Sequence, residues 1–399
     1  MRVAIVTESF LPQVNGVTTS VCRVVEQLTD RGHDVRIVAP RCRDGGPEVF
    51  HGARVHRVAS VPVRSFDVGL PTREVERVLR GFEPDVVHVA SPFAVGAAGL
   101  AAARRLALPT VAVYQTDMAA YVRRHTPGPA GAAAAATTWR WIRRVHASAD
   151  LTLAPSSASL ADLEAHGIER TALWGRGVDA SLHNPAWRLD ALTRALRREL
   201  APAGERLIGY VGRLAPEKEV ERLAQLADLP GTRLVVVGDG PSRESLSEVL
   251  GEAVARAAER RTGAPLPAAF LGERHGDDLA RAYAALDVFV HTGTSETFGQ
   301  TIQEAGATGL PVVAPRAGGP VDLVTDGVDG HLFDPATPGS LRARVERVLG
   351  DHDHADALGR RAHERVRGRS WSAVVDRLVH HYATATDTAA QRAARRVAA

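Results

Sequence analysis

Two glutamates, Glu296 and Glu304, stand eight positions apart in the stretch "TSETFGQTIQEAG", which covers residues 294–306. This stretch follows the apolar run "LDVFVH" and precedes "LPVVAP", so a loop and a helix between two buried strands are predicted. A carboxylate placed there can accept hydrogen bonds from a sugar or from the diol of a ribose. The pattern therefore predicts a ligand that carries hydroxyl groups.

The same stretch predicts a place for phosphate. We expect a helix that Thr297 caps and that runs to Ala307. The backbone N–H groups of Phe298 and Gly299 would then lie in the first turn, where free donors and the helix dipole favour an anion. Gly299 also lets a ligand come close. The alternative is that neither glutamate binds a ligand. Glu296 would then interact favourably with the helix dipole, and Glu304 would lie on a solvated face of the helix.

The stretch "GYVGRLAPEKEVERL" supplies two cations, Arg213 and Lys218, after another predicted strand. Lys218 is the only lysine in a sequence with 49 basic residues. We expect it in the first turn of a helix, where the dipole opposes a cation and an anionic ligand would explain its presence. The alternative is that Lys218 is exposed and pairs with Glu221, and that Arg213 pairs with a nearby acid. The rarity of lysine favours the ligand.

A further candidate region follows the first predicted strand, in "ESFLPQVNGV". It is not the GxGxxG motif of dinucleotide-binding proteins. Gly16 begins the next predicted helix and offers a second approach for phosphate. Asn15 either binds ligand hydroxyls or forms a turn with its own backbone.

The composition limits the class of protein. A length of 399 residues favours two domains, and 45% hydrophobic with 24% charged residues is typical of a globular chain. No apolar run is long enough to span a membrane, and no signal peptide is recognised at the start, so we expect a cytoplasmic protein. Two cysteines make no disulfide framework, and a net charge of +3 gives no reason to expect nucleic acid as a partner.

The order of the predicted elements indicates an α/β protein. Continuous apolar strands alternate with helices in the first half, and the pattern restarts at "RLIGYVGR" after a junction near residues 175–205. We expect two doubly wound domains, covering 1–175 and 176–375, followed by a C-terminal helix and basic tail over 376–399. Ligands of such folds bind at the carboxyl ends of the strands, and hence in a cleft that the two domains face.

Taken together, these motifs resemble those of a known enzyme family. "TESFLPQVNGV", "VYQTD", "WGRGVD", "GYVGRLAPEKEVERL" and "TSETFGQTIQEA" are similar to the motifs of retaining glycosyltransferases of the GT-B type, in family 4. The resemblance covers nearly the whole chain. It is strongest toward bacterial GDP-mannose-dependent α-mannosyltransferases that act on lipid acceptors, and it extends to sulfoquinovosyl and glycolipid glucosyl transferases.

The resemblance implies roles for the candidate residues in a glycosyl transfer. Arg213 and Lys218 would hold the donor diphosphate and carry its leaving-group charge. Glu296 would bind the transferred sugar and Glu304 the ribose. The backbone of three residues would offer further donors to the diphosphate: Gly16, Phe298 and Gly299.

On the acceptor side the sequence departs from the family. Members often have a histidine in the loop where this chain reads "VYQTD", and here Gln115 stands beside Asp117. With Asn15, these are the acceptor-side candidates, and none is assigned as a base. A retaining enzyme tolerates this because the leaving oxygen of the donor can take the acceptor proton itself.

A lipid acceptor predicts a membrane-facing surface. The segment 120–149 carries three aromatic residues, Tyr121, Trp139 and Trp141, beside paired arginines at 123–124 and 143–144. Such a combination suits an anionic membrane interface on the inner face of the plasma membrane. The alternative is that the tryptophans pack on the first sheet while the arginines face water.

Several alternatives stay open. The donor is a GDP-sugar or a UDP-sugar, since nothing in the sequence decides the base. A nucleotide-sugar 2-epimerase would share the architecture, and a protein that only binds the nucleotide is a further possibility. No cofactor is expected: two cations can neutralise the leaving group, and the formal DxD in "DHDHAD" (351–356) sits in a charged stretch that we interpret as solvated surface.

Overall fold

The computed structural model describes residues 1–63, 66–126, 128–259 and 265–397. The chain divides into two compact units, the first made of Met1–Arg176 with Trp371–Ala399 and the second of Gly177–Ser370. Residue 127 of the predicted membrane segment and residues 398–399 of the predicted tail lie outside the described residues.

The first unit is built on a mostly parallel sheet beside a small hairpin. Its strands are β1 Arg2–Val6, β2 Asp34–Pro40, β3 Val49–Phe50, β4 Ala53–Val58, β5 Ser60–Val63, β6 Phe66–Gly69, β7 Val86–Val89, β8 Thr110–Val113, β9 Leu151–Ala154 and β10 Thr171–Leu173. The eight-stranded sheet has the order β10-β9-β8-β7-β1-β2-β4-β3, and only β3 with β4 is antiparallel. Strands β5 and β6 form the hairpin. Four consecutive residues of β1, from Val3 to Val6, are fully buried, as expected of a strand covered on both faces.

Helices connect these strands and cover the sheet. They are α1 Gly16–Asp30, α2 Arg73–Phe82, α3 Ala94–Arg105, α4 Met118–His125, α5 Pro129–His146 and α6 Ser157–Ala165. The parallel order and the helical crossovers agree with the predicted doubly wound domain.

The second unit repeats this architecture with a smaller sheet. Its strands are β11 Arg206–Val211, β12 Thr232–Val237, β13 Ala269–Gly272, β14 Val288–Val290, β15 Val312–Pro315 and β16 His331–Phe333. The sheet order is β13-β12-β11-β14-β15-β16, with every pairing parallel. Its helices are α7 Ala191–Leu200, α8 Arg243–Glu259, α9 Gly276–Ala285, α10 Gln300–Ala307, α11 Pro320–Leu323, α12 Ser340–Gly350 and α13 His352–Arg367. Three 3₁₀ segments complete it: Pro185–Leu189, Pro216–Lys218 and Val220–Leu226.

The last helix, α14 (Trp371–Val397), returns to the first unit. Trp371, Val374 and Leu378 belong to the same buried cluster as strand β1, and the Tyr382 hydroxyl lies 2.8 Å from His88 Nδ1. The predicted second domain extended to 375, with 376–399 as a separate tail. The structure ends the second unit at Ser370 instead, because the apolar face of α14 is part of the first core.

Within the described residues, none of the helices has the length and apolar character needed to cross a membrane.

Candidate active site

Four turns meet at the carboxyl edge of the second sheet, after β11, β12, β14 and β15. Their glycines allow very close contact: a Cβ on Gly238 would lie 2.0 Å from the Gly212 carbonyl oxygen, and one on Gly319 would lie 2.4 Å from that of Phe298. The Gly319 N–H also donates to the Glu296 carbonyl at 2.7 Å. The glycine-rich turns after β12 and β15 therefore support the loops that carry the predicted site residues.

Lys218 and Glu296 form an ion pair at the centre of this edge. Lys218 Nζ donates to Glu296 Oε2 at 2.5 Å, and the two side chains are only 25% and 17% exposed. The alternative, an exposed Lys218 that pairs with Glu221, is therefore not what the structure shows. The two residues are brought together from positions 78 apart in the chain.

The local structure around Lys218 differs from the prediction. Lys218 ends a three-residue 3₁₀ turn that starts at Pro216, and it does not lie in the first turn of an α-helix. Glu219 adopts a left-handed conformation, with φ of 49°, and this separates the turn from the next 3₁₀ segment. The helix-dipole argument for an anion at Lys218 therefore does not apply, because a single short turn has little dipole.

The two loops are tied together by polar contacts. Thr292 Oγ1 donates to the Lys218 carbonyl at 2.7 Å, and Thr294 Oγ1 bonds Glu219 Oε1. Arg222 Nε donates to the other Glu219 oxygen at 2.8 Å. Glu219 is a residue that sequence reasoning missed, and it holds the lysine turn against the loop after β14.

His291 follows β14 directly and lies against the ion pair. It is 3% exposed, and its Nε2 is 3.7 Å from Glu296 Oε2. Burial lowers the His291 pKa to about 4, although the negative charge of Glu296 acts in the opposite direction. The ring is therefore neutral at pH 7. Its position in "FVHTG" was visible in the sequence, but no spacing rule singled it out.

Arg213 lies on the same edge and pairs with an acid, as the alternative reading allowed. Its guanidinium bonds Glu217 Oε1, four residues along the chain, and the Arg213 side chain is 58% exposed. The Tyr210 hydroxyl donates to the Arg213 carbonyl at 3.1 Å and so fixes its backbone. An exposed side chain on a fixed backbone is free to exchange one anionic partner for another.

Helix α10 begins later than predicted. It starts at Gln300, and its N-cap is Gly299, whose φ of 103° suits glycine and strains other residues. Thr297 does not cap it. Phe298 is 4% exposed and packs into the core, so its side chain is structural. Among the described residues, the N–H groups of Phe298 and Gly299 have no backbone hydrogen-bond acceptor, and their role as donors to phosphate stays a prediction.

Glu304 lies one turn into α10 and is partly buried. Its Oε2 accepts a 2.9 Å hydrogen bond from the hydroxyl of Tyr283, which is fully buried. Burial raises the pKa of Glu304 to about 7, although the hydrogen bonds from Tyr283 and Gln300 act to lower it. The alternative, in which Glu304 lies on a solvated helix face, is therefore not what the structure shows. Tyr283, on α9, orients this carboxyl group and was missed in the sequence.

In the first unit, Asn15 and Gly16 begin helix α1. Asn15 Oδ1 accepts from the N–H groups of Val17 and Thr18 at 3.0 Å each, and its Nδ2 donates to Ser9 Oγ at 2.7 Å. Asn15 is thus the N-cap of α1. Gly16 is exposed, and a Cβ there would lie 3.0 Å from a nitrogen of Arg176.

Gln115 is buried and uses both ends of its amide. Its Nε2 donates to the Ala90 carbonyl and its Oε1 accepts from Arg176, each at 2.9 Å. Gln115 therefore anchors Arg176 beside the start of α1. Arg176, from "WGRGVD", is another residue that the residue-by-residue reasoning did not select.

Asp117 caps helix α4, with Oδ1 accepting from the Ala120 N–H at 2.8 Å. Asp162 lies close enough that its charge and that of Asp117 repel. The pKa of Asp162 is raised, first by burial and then by this repulsion. All three acceptor-side candidates thus have structural contacts in the first unit.

The predicted membrane segment forms α4 and α5. Its tryptophans are half-buried and pack against core clusters of the first unit. Trp139 stacks on His166 with ring centres 3.7 Å apart, and Trp141 lies edge-on to Phe93 at 5.3 Å. Tyr121 remains 45% exposed. Three arginines of α5 line an open depression of about 690 Å³: Arg140, Arg143 and Arg144. The packing of the tryptophans agrees with the alternative reading, while a basic surface remains.

The "DHDHAD" stretch lies at the start of α13 and contacts the first residue of β16. His354 Nε2 is 3.1 Å from His331 Nε2, and the other nitrogen of His331 contacts Asp326 at 3.2 Å. No group of three or more metal-binding side chains is found in the part of the chain that the structure describes. Independence from metal stays a prediction.

Comparison with known proteins identifies the chain. The sequence pattern of the family described as Glycosyltransferase Family 4 matches residues 14–182, and that of Glycosyl transferases group 1 matches residues 193–365. A GDP-mannose-dependent alpha-mannosyltransferase of Mycolicibacterium smegmatis is 45% identical over 401 residues, which cover 99% of this chain and 100% of the relative. The chain belongs to the family 4 glycosyltransferases.

A more distant relative and a solved structure are also similar to this glycosyltransferase. The sulfoquinovosyl transferase SQD2 of Arabidopsis thaliana is 33% identical, covering 94% of this chain and 72% of that protein. A crystal structure of Anabaena Alr3699/HepE in complex with UDP superposes with a TM-score of 0.77 at 22% identity, covering 96% of this chain and all of the other. The predicted GT-B fold of this enzyme is confirmed.

Proposed function

We propose that this glycosyltransferase moves mannose from GDP-mannose onto a lipid-linked acceptor in α linkage. The full-length similarity to the Mycolicibacterium alpha-mannosyltransferase carries this proposal. The edge of the second sheet supports it, because carboxylates for hydroxyl groups and cations for phosphate lie together there.

The two carboxylates suit the two sugar rings of the donor. Glu304 lies beyond the first turn of α10, where it can accept hydrogen bonds from the ribose diol, and Tyr283 fixes its orientation. Glu296 precedes the helix and is placed for the mannose hydroxyl groups. The diphosphate then meets the N–H groups of Phe298 and Gly299, between the two acids in sequence.

The two cations neutralise the leaving group. Lys218 and Arg213 each hold a carboxylate in this structure, and in the proposed donor complex each turns to the diphosphate. Charge that develops on the leaving oxygen is then stabilised by groups already in place, which is a large catalytic effect. With two cations present, we propose that the enzyme needs no metal ion and no other cofactor.

The acceptor proton needs no side-chain base in this proposal. GDP-mannose is α-linked, so an α-linked product means retention, and the acceptor approaches on the face that the diphosphate leaves. The leaving oxygen can then take the proton. The contacts of Gln115 fit this scheme, because an amide that is bonded at both ends cannot act as a base.

The basic surface of α5 supports an acceptor held at a membrane. Arg140, Arg143 and Arg144 are exposed around one depression, and each arginine near an anionic surface contributes about 1 kcal/mol of attraction. We propose that this surface holds the enzyme on the inner face of the plasma membrane as a peripheral protein. Trp141 lines the same depression beside these arginines, and Trp139 stacks on His166.

The first experiment measures nucleotide release from GDP-mannose, UDP-glucose and UDP-glucuronate, with EDTA and with or without a bacterial lipid extract. GDP release that rises with the lipid extract is the expected result. Release from a UDP-sugar would instead place the enzyme nearer to its sulfoquinovosyl relative. Loss of activity in EDTA that Mg²⁺ or Mn²⁺ restores would contradict the metal-independent scheme.

A second experiment tests the membrane surface. Replacing Arg140, Arg143 and Arg144 by Ser should reduce pelleting with vesicles of anionic phosphatidylglycerol and leave release from soluble GDP-mannose unchanged. The matched control replaces three exposed arginines of the second unit: Arg194, Arg198 and Arg360. Equal pelleting of both triple variants and of the natural protein would contradict the assignment of this surface.

A further inference from the structure

His291 is a buried polar ring whose hydrogen-bonding groups are not used by the fold. Within the described residues, neither ring nitrogen has a hydrogen-bond partner. The side chain is 3% exposed, so water cannot readily compensate. A phenylalanine, such as the one two positions earlier at Phe289, would fill a similar volume without this cost. The imidazole therefore needs an explanation other than packing.

The nearest charged groups to the ring are Glu296 and Lys218. His291 Nε2 lies 3.7 Å from Glu296 Oε2, just beyond hydrogen-bond distance. The same oxygen accepts the hydrogen bond from Lys218 at 2.5 Å. With its proton on Nε2, His291 would be a second donor to this carboxylate oxygen, which in this structure is bonded to Lys218.

Backbone contacts of the surrounding loop hold the ring close to this carboxylate. The His291 N–H donates to the Val313 carbonyl at 2.9 Å, and Thr292 is bonded to the Lys218 backbone. Gly293 also passes close to the lysine turn, since a Cβ there would lie 3.4 Å from Lys218 Cα. A small movement of the Glu296 side chain is enough to bring it within reach of the imidazole N–H.

We propose that His291 is a positioning residue, which donates from Nε2 to Glu296 and holds that carboxylate against the transferred sugar when Lys218 turns to the diphosphate. This inference rests on the proposed function, because it takes Glu296 as the sugar-binding acid. In the donor complex, Glu296 would then bind the sugar while Lys218 binds the diphosphate. A neutral imidazole suits the task, since it supplies a donor without adding a second positive charge beside the lysine.

The test compares His291→Phe, which removes the donor, with His291→Gln, which restores an amide N–H. For both variants we would measure binding of GDP and of GDP-mannose, and kcat and KM for GDP release. His291→Phe should bind GDP as the natural enzyme does and lose about ten- to a hundredfold in kcat/KM for GDP-mannose. His291→Gln should recover most of that loss. The control is His56→Phe, another histidine with an unpartnered nitrogen, on β4 of the first unit.

The outcomes separate the two proposals. If the natural protein releases no nucleotide from any sugar donor, the proposed function fails. If it does, but His291→Phe keeps full kcat/KM, the positioning role fails alone. Equal losses for GDP and GDP-mannose, with a lower melting temperature and no recovery in His291→Gln, would make His291 a purely structural residue.

Discussion

The carboxyl edges of the two sheets carry polar residues of similar types and use them differently. In the second unit Lys218 and Glu296 bond each other through side chains, and His291 and Glu304 are partly or fully buried beside them. In the first unit Asn15, Gln115 and Asp117 bond mainly to backbone groups of their own unit.

The difference lies in what a ligand would have to displace. Side-chain ion pairs such as that of Lys218 can exchange one partner for another at modest cost, because both groups stay charged and bonded. A helix cap such as Asn15 cannot be exchanged without exposing backbone N–H groups. The second edge is therefore suited to binding and chemistry, while the candidates of the first edge mainly build the scaffold.

The largest expected effect comes from removing the charge at the second edge. Lys218→Gln keeps a donor for Glu296 but loses the cation, so kcat for GDP release should fall by about 10²–10³. The melting temperature should change little. Steady-state kinetics and thermal unfolding measure the two quantities.

The matched control is Arg256→Gln, an exposed cation of the same unit that pairs with Glu252 at 3.2 Å. It should keep full activity. Because Lys218 is the only lysine, an amine-specific reagent labels it and the N-terminus alone, and GDP-mannose should protect it. Labelling that is indifferent to the donor would contradict its place at the diphosphate.

The next effect concerns Glu304 and depends on pH. Its pKa is about 7, and ribose hydroxyls bond the ionised form better, so GDP affinity should fall as pH drops through 7. Glu304→Gln should weaken GDP binding about tenfold at pH 8. The difference between the variant and the natural enzyme should shrink at pH 5.5, as calorimetric titration would show. A difference that does not change with pH would contradict this role.

The free energy of unfolding should change with pH in the opposite direction to the GDP affinity. The folded pKa of Glu304 is raised above its ordinary value, so its ionisation costs stability as pH rises from about 4.5 through 7. Glu304→Gln should therefore melt at a higher temperature than the natural protein at pH 8, and the gain should vanish toward pH 4.5. A variant that binds GDP less well yet folds more stably separates a binding role from a packing role.

At the first edge the expected effect is on folding. Gln115→Ala leaves the Ala90 carbonyl and Arg176 without the amide, which should cost about 1–3 kcal/mol of unfolding free energy. We expect kcat to stay within about tenfold of the natural value, since no proton passes through this residue. Denaturant unfolding and steady-state kinetics measure both. A change in the pH dependence of kcat would show that Gln115 does more.

The smallest effect is expected at Asn15. Asn15→Ala removes the cap of α1 and should cost about 1 kcal/mol, or roughly 2–4 °C in melting temperature. Asn15→Ser, which can still cap, should recover most of it. If Asn15→Ala instead lowers activity at unchanged stability, the contrast between the two edges is wrong.

The sequence predicted the fold well because buried parallel strands are continuous apolar runs. Val3 to Val6 and Val288 to Val290 are examples, and each is fully buried. The boundary at residue 375 could not be found in this way. The apolar face of α14 looks the same whichever unit it covers, and only tertiary contacts decide between them.

The site was predicted in its residues and not in its local geometry. Glu296, Lys218 and Glu304 were selected from chemistry and spacing, and the first two meet in space. Glu219 changes the backbone at the lysine turn through a left-handed conformation that no rule would assign to a glutamate. Tyr283 contacts Glu304 from 21 positions away, and His291 precedes Glu296 by five positions, a spacing that no local pattern singles out.

The path of the chain sets the order in which the protein can fold during synthesis. Trp371, Leu378 and Tyr382 of α14 complete the core around β1, yet they follow the whole second unit in the chain. The second unit is translated in full before them. In this enzyme the first unit therefore cannot close its core until the second unit and α14 have been synthesised, and β1 and its neighbours stay incompletely covered until then.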